Sequence, residues 1–168
     1  MTGETLDNDN GSLRAVTYDV GNQHDWSVNV ATHDTQGRLT DQTLYNDDGS
    51  RRIDVYDAGD QHDWSAYGAN YDNQGRLTGE TLDNDNGSLR TVAYDAGNQH
   101  EWSFNVATHD IQGRLTVQTL HNDDGSRAID NFDPADQYDW ASIVSIYDAQ
   151  GQLTSQDGTY DDGSMWHI

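Results

Sequence analysis

The sequence predicts an all-β protein: tandem 38-residue repeats of about three strands each, forming a stacked meander or a β-solenoid-like array. Three observations lead there. The tetrad Gly37-Arg38-Leu39-Thr40 recurs as Gly75-Arg76-Leu77-Thr78 and Gly113-Arg114-Leu115-Thr116, then as Gly151-Gln152-Leu153-Thr154, and a fixed period of this length marks a repeat architecture. Asp-Gly and Asn-Gly pairs (Asn10-Gly11, Asp48-Gly49, Asn86-Gly87, Asp124-Gly125, Asp162-Gly163) supply the positive φ that tight hairpins demand. Of the 30 acidic residues 27 are Asp, which suits turns far better than helix interiors.

The elements follow in order from the second copy. A first strand runs from Leu39 to Asn46, and the turn Asp47-Asp48-Gly49 leads to a second from Ser50 to Tyr56. The segment Asp57-Ala58-Gly59-Asp60-Gln61-His62-Asp63 forms a loop, and a third strand runs from Trp64 to Tyr71. Asp72-Asn73-Gln74-Gly75 then turns into the next copy. The third strand alternates well, with Trp102, Phe104, Val106 and Thr108 on one face and Ser103, Asn105, Ala107 and His109 on the other. Residues 1–168 read as a single array, with copies at about 1–36, 37–74, 75–112 and 113–150 and a partial copy at 151–168. Met1-Thr2 takes the place of the Leu-Thr of an earlier copy, so the sequence as given opens inside a repeat.

A second periodicity bears on topology. Residues 2–40 match residues 78–116 at 33 of 39 positions, but match residues 40–78 at only 23. In a meander with three strands per copy the chain reverses direction after each copy, so only alternate copies are equivalent and the full period is two copies long. A recent duplication of a two-copy block gives the same pattern, which leaves a parallel three-sided solenoid open. In either arrangement neighbouring copies are expected to bury each other's apolar faces, with Trp and Tyr stacked in register.

Composition narrows the function. Eight Arg and no Lys stand against the 30 acids, for a net charge of −22. A field of that sign repels nucleic acid phosphates and anionic lipid headgroups, so neither a nucleic acid nor a membrane partner is expected. Without Cys there is no disulfide, thiol nucleophile or Cys-ligated metal. No apolar run approaches the length of a spanning helix, and Met1-Thr2-Gly3-Glu4 does not open a signal peptide, so the sequence as given reads as soluble. Leu, Ile, Val and Phe number only 27, a fraction that with this charge is associated with disorder. Five Trp and nine Tyr in a regular pattern argue against that rule.

The stretch Tyr71-Asp72-Asn73-Gln74-Gly75-Arg76-Leu77-Thr78, followed by a turn ending Asn86-Gly87-Ser88 and by Tyr94-Asp95, resembles the YD repeat of Rhs and teneurin-type proteins. The match recurs at His33-Asp34 before Gly37, His109-Asp110 before Gly113 and Tyr147-Asp148 before Gly151, and covers nearly the whole chain. The resemblance implies β-hairpins in a long sheet, a structural role in a large secreted or bacterial surface protein, and no catalytic residues. An extra Trp-headed strand between the two Tyr-Asp pairs of each copy departs from the family pattern and counts against a closed shell.

The acidic turns are the candidate metal sites. Asp7 and Asp9, Asp47 and Asp48, Asp83 and Asp85, and Asp123 and Asp124 gather carboxylates in short turns, and Asp and Asn oxygens two residues apart, as at Asp7 and Asp9, are what Ca²⁺ loops use, although the pattern misses the EF-hand. The competing reading is a hairpin turn whose Asp and Asn side chains cap backbone amides. If equivalent turns line up along the array, their carboxylates form columns whose repulsion Ca²⁺ or salt would relieve. His24-Asp25-Trp26, His62-Asp63-Trp64 and His100-Glu101-Trp102 invite an acid–base reading, yet the fourth copy has Tyr138-Asp139-Trp140, so they read as loop caps and packing residues. The Trp residues read as core, with a ligand platform as the alternative. Arg38, Arg76 and Arg114 are expected to pair with neighbouring Asp.

These readings converge on a non-enzymatic structural repeat module, a spacer, shaft or adhesive segment of a larger secreted or cell-surface protein. No cofactor is required, with Ca²⁺ as the candidate ion. The alternative is a calcium- or glycan-binding repeat module. Its partners are neighbouring repeats of a parent chain, with self-association through open edge strands as a further expectation.

Overall fold

The computed structural model describes residues 2–168, and no helix occurs among them. Met1, which the repeat alignment sets against a Leu, lies outside the described residues. The chain divides into two compact units, residues 1–85 and 86–168. The first holds β1 (Thr2–Asp7), β2 (Leu13–Tyr18), β3 (Trp26–His33), β4 (Leu39–Asn46), β5 (Arg51–Tyr56), β6 (Trp64–Tyr71) and β7 (Leu77–Asn84). The second holds β8 (Leu89–Tyr94), β9 (Trp102–His109), β10 (Leu115–Asn122), β11 (Arg127–Phe132), β12 (Trp140–Tyr147), β13 (Leu153–Tyr160) and β14 (Met165–His167). In each unit the strands follow one another in chain order and every described pair is antiparallel. The meander is therefore the topology, and the solenoid alternative is set aside. The expected three strands per copy are all present, the second beginning at Arg51 rather than Ser50.

Three kinds of junction alternate, each fixed by local chemistry. In the acidic hairpins Gly11, Gly49, Gly125 and Gly163 sit at φ of 81 to 85°, which only glycine adopts without strain. The Asp34–Arg38 type is closed by Asp34, whose Oδ1 accepts the amides of Gln36 and Arg38. The long loops before the Trp-headed strands bend at Asn22, Asp60, Asn98 and Asp136, all at positive φ, where Asn and Asp are the best tolerated non-glycine residues.

Strand pairing explains the two-copy period. A proper rotation that reverses strand direction while advancing along a sheet must also exchange the two faces. Successive copies thus present opposite faces, related by a two-fold screw. In residues 1–85, Val16, Val28 and Val30 share a face with Ile53, Val55 and Tyr67. One copy further on, the counterparts of those valines are Asp54, Ala66 and Gly68, which lie on the other face with Asn29 and Gln42. In residues 86–168 the apolar face carries Val92, Phe104, Val106, Ile129 and Ile143. In residues 1–85 one face is mostly apolar and the other mostly polar or small, so consecutive copies need different residues at equivalent positions; in residues 86–168 the second face also carries Leu120, Phe132, Val144 and Ile146.

Each unit is one layer. Among the described residues strands contact only their neighbours in sequence. Ala69 and Val92 are the only buried apolar residues among them, and no side chain is fully enclosed. The expectation that copies bury each other's apolar faces is thereby corrected: copies lie side by side within a sheet. The Trp residues do not stack either, because Trp26 heads β3 and Trp64 heads β6, which run in opposite directions and put the two rings at opposite ends of the strands. Cohesion comes from the backbone ladder and cross-strand side-chain pairs, each worth roughly 0.2–1 kcal/mol. Phe104 on His121, with ring centroids 4.0 Å apart, and Arg127 over the Tyr147 ring at 4.7 Å are two of them.

Candidate functional site

The acidic turns meet the long loops. Pairing of Trp26 with Asn46 brings the residue before Trp26 beside the residue after Asn46, and the amide of Asp47 donates to the carbonyl of Asp25 at 3.0 Å. Asp85 does the same to Asp63, Asp123 to Glu101 and Asp161 to Asp139. Three open recesses result, lined by Asp25, Asn46, Asp47 and Asp48; by His100, Glu101, Asn122, Asp123 and Asp124; and by Asp139, Tyr160, Asp161, Asp162 and Ser164.

Of the sequence-predicted candidates, Asp47 with Asp48 and Asp123 with Asp124 fall in such recesses. Asp7 ends β1 and Asp9 lies in the following turn. Asp83 sits within β7, opposite Ala66, while Asp85 lies in the turn after it. The structure adds Asp25, Glu101 and Asp139 to the recesses; the sequence reading placed Asp25 and Glu101 in His-acid-Trp segments and Asp139 in Tyr138-Asp139-Trp140, as loop caps and packing residues. Strand register could have found them, since it sets the start of each third strand against the end of the next first strand.

Within the turns the side chains already serve the backbone. Asp48 Oδ1 accepts the Ser50 amide at 2.8 Å, and Asp124 and Asp162 do the same for Ser126 and Ser164. The Ser hydroxyl and amide beside each hold these three carboxyls below the usual range. Asp161 moves the other way, raised first by desolvation and then by the charges of Asp136, Asp133, Asp139 and Asp162. No group of three or more His, Asp or Glu side chains among the described residues is placed to hold a metal ion. Consecutive acidic turns do not line up within either unit: the β1–β2 and β4–β5 turns lie at opposite ends of the strands, as do the β10–β11 and β13–β14 turns.

The His-acid-Trp segments are stacks. His24 lies on Trp26 with centroids 5.0 Å apart and planes 4° from parallel, and His62 on Trp64, His100 on Trp102 and Tyr138 on Trp140 repeat the arrangement. The backbone amide of each leading ring donates to the Asp that opens its loop: Asp19, Asp57, Asp95 and Asp133 accept from His24, His62, His100 and Tyr138 at 2.6–2.7 Å. Arg38, Arg76 and Arg114 pair with Asp34, Asp72 and Asp110 at 2.7 Å, as the spacing predicts. No family model matches the chain, and no curated protein matches it.

Proposed function

We propose that the chain is a non-enzymatic structural repeat module, a spacer, shaft or adhesive segment of a larger secreted or cell-surface protein, related to the YD-repeat type. One observation carries the reading. The residues whose chemistry invites a catalytic role perform the same local fastening in successive copies. The opening Asp holds the loop, the leading ring covers Trp, and the turn Asp or Asn binds Ser. A reaction centre needs one asymmetric constellation, whereas a structural array needs many equal ones.

A calcium-binding module is the second reading, favoured by the recurrence of acid-lined recesses at the β4–β5, β10–β11 and β13–β14 turns. Calorimetric titration of chelator-treated protein with Ca²⁺ at low salt, with circular dichroism at each point, separates the two. The structural reading expects no saturable heat and a β spectrum from the outset. Saturation near one or two ions per copy, with a gain in β signal, would replace it by the calcium-dependent module.

A further inference from the structure

The eight arginines divide into two sets. Arg38, Arg52, Arg76 and Arg114 are each ion-paired, in turns or on the polar face. Arg14 and Arg51 lie on the apolar face of residues 1–85, and Arg90 and Arg127 on that of residues 86–168. None of these four forms an ion pair among the described residues, in a chain that carries 30 acids. Arg51 rests on the Tyr71 ring at 4.5 Å with its Nε buried and without a hydrogen-bond partner.

The apolar faces also differ in acids. That of residues 1–85 carries Glu4, Asp41 and Glu80. Two copies further on, Val117 replaces Asp41 and Gln156 replaces Glu80, so the apolar face of residues 86–168 has two arginines and no acid. One face is net negative and the other net positive.

We propose that the apolar face of residues 86–168 docks on the apolar face of residues 1–85 of a second copy of this chain, with Arg90 and Arg127 of one copy meeting Glu4 and Asp41 of the other. A sheet with one apolar face ordinarily needs a second layer, and two sheets pack face to face when their twists match, as those of two identical chains do. At low ionic strength two chains of charge −22 repel, and screening by moderate salt, over roughly 8–10 Å, lets the local complementarity act.

Sedimentation velocity of the full chain across the micromolar range, in moderate and in very low salt, tests this. The expected result is a mass that rises with concentration in moderate salt. The double variant Arg90→Glu with Arg127→Glu, checked for fold by circular dichroism, should weaken association by about tenfold or more, because like charges then face each other. Adding Glu4→Arg and Asp41→Arg to that variant should restore it. A monomer at every concentration overturns the proposal. So does association that survives charge reversal but is lost in Thr5→Pro, which blocks pairing along β1, because the contact would then be strand to strand.

Discussion

Asp130 lies directly opposite Val144 across the β11–β12 ladder, where its counterpart Asp54 lies opposite Gly68. Asp54 accepts two hydrogen bonds from Arg52 Nε, at 2.8 and 3.0 Å, and pairs with Nη2. In the later copy the arginine has become Ala128 and the glycine Val144, and the acid remains. Its same-face neighbours are Gln118, Ala128, Phe132, Ser142, Val144 and Ile146, none of them charged. Burial raises its carboxyl above the usual range.

A carboxyl whose pKa is raised on folding costs stability above the folded pKa, and the cost disappears as pH falls through it. Asp130→Asn is therefore expected to raise the thermal midpoint at pH 7 and to have little effect at a pH well below the ordinary carboxylate range. Unfolding followed by circular dichroism at both pH values checks this. A variant with the same stability as the parent at pH 7 would contradict it.

Gly68 is the space the Arg52–Asp54 pair occupies. A Cβ there would stand 2.6 Å from Arg52 Nη2 and from Thr81 Oγ1, and 2.9 Å from Asp54 Oδ1. Gly68→Val is expected to cost about 1–3 kcal/mol alone and clearly less in an Arg52→Ala background, the combination found at residues 128 and 144. A double-mutant cycle by urea denaturation measures the coupling, and strict additivity would contradict the account.

Asp34, Asp72 and Asp110 respond to acid in the opposite sense to Asp130. Asp34 and Asp72 are held below the ordinary value of 3.8 first by the amides of Arg38 and Arg76, and Asp110 first by the Arg114 side chain. Their contribution is complete above the unfolded pKa and is lost as pH falls through the lowered folded values. Asp72→Ala should lower the midpoint at pH 7, and the gap from the parent should close as pH is taken well below 3.8. A gap that does not change with pH would show that the carboxylate charge is not what closes the turn.

The loop stacks need a ring and not an imidazole, as Tyr138 on Trp140 indicates. His62→Tyr should leave stability within about 0.5 kcal/mol, while His62→Ala should lose roughly 0.5–1.5 kcal/mol with a change in Trp emission. Equal stability of the two variants would argue against the stack as a fastening.

Strands and turns were legible in the sequence because each boundary carries its own chemistry. Gly49 needs positive φ, Asp34 closes a turn on Arg38, and Trp64 opens an alternating run. The closer match between alternate copies than between consecutive ones agrees with the meander, but a duplicated two-copy block gives the same pattern, so it did not by itself separate the meander from a solenoid. The single layer was not legible, since alternation at Phe104 and Val106 marks a face as apolar without saying whether anything covers it. For the same reason the stacking of Trp in register was wrongly expected: similarity in sequence puts Trp26 and Trp64 in register, but the screw that relates their copies sends them to opposite ends of the strands, and the consecutive acidic turns on which carboxylate columns were conditional part in the same way. The recesses at Asp25 and Glu101 depend on strand register, which no local motif near those residues reveals.

Consecutive copies present opposite faces, and exchanging strands tests this most directly. Replacing Leu13–Tyr18 by the sequence of Leu89–Tyr94, its counterpart two copies on, changes only Ala15 to Thr and Thr17 to Ala. Replacing it by the sequence of Arg51–Tyr56, its counterpart in the next copy, puts an Asp in place of Val16, between Glu4 and Val30 on the apolar face. Thermal denaturation of the two variants should show the first near the parent and the second destabilised by about 2 kcal/mol or more. Equal stability of the two would mean that consecutive copies are interchangeable and that the face exchange does not govern the sequence.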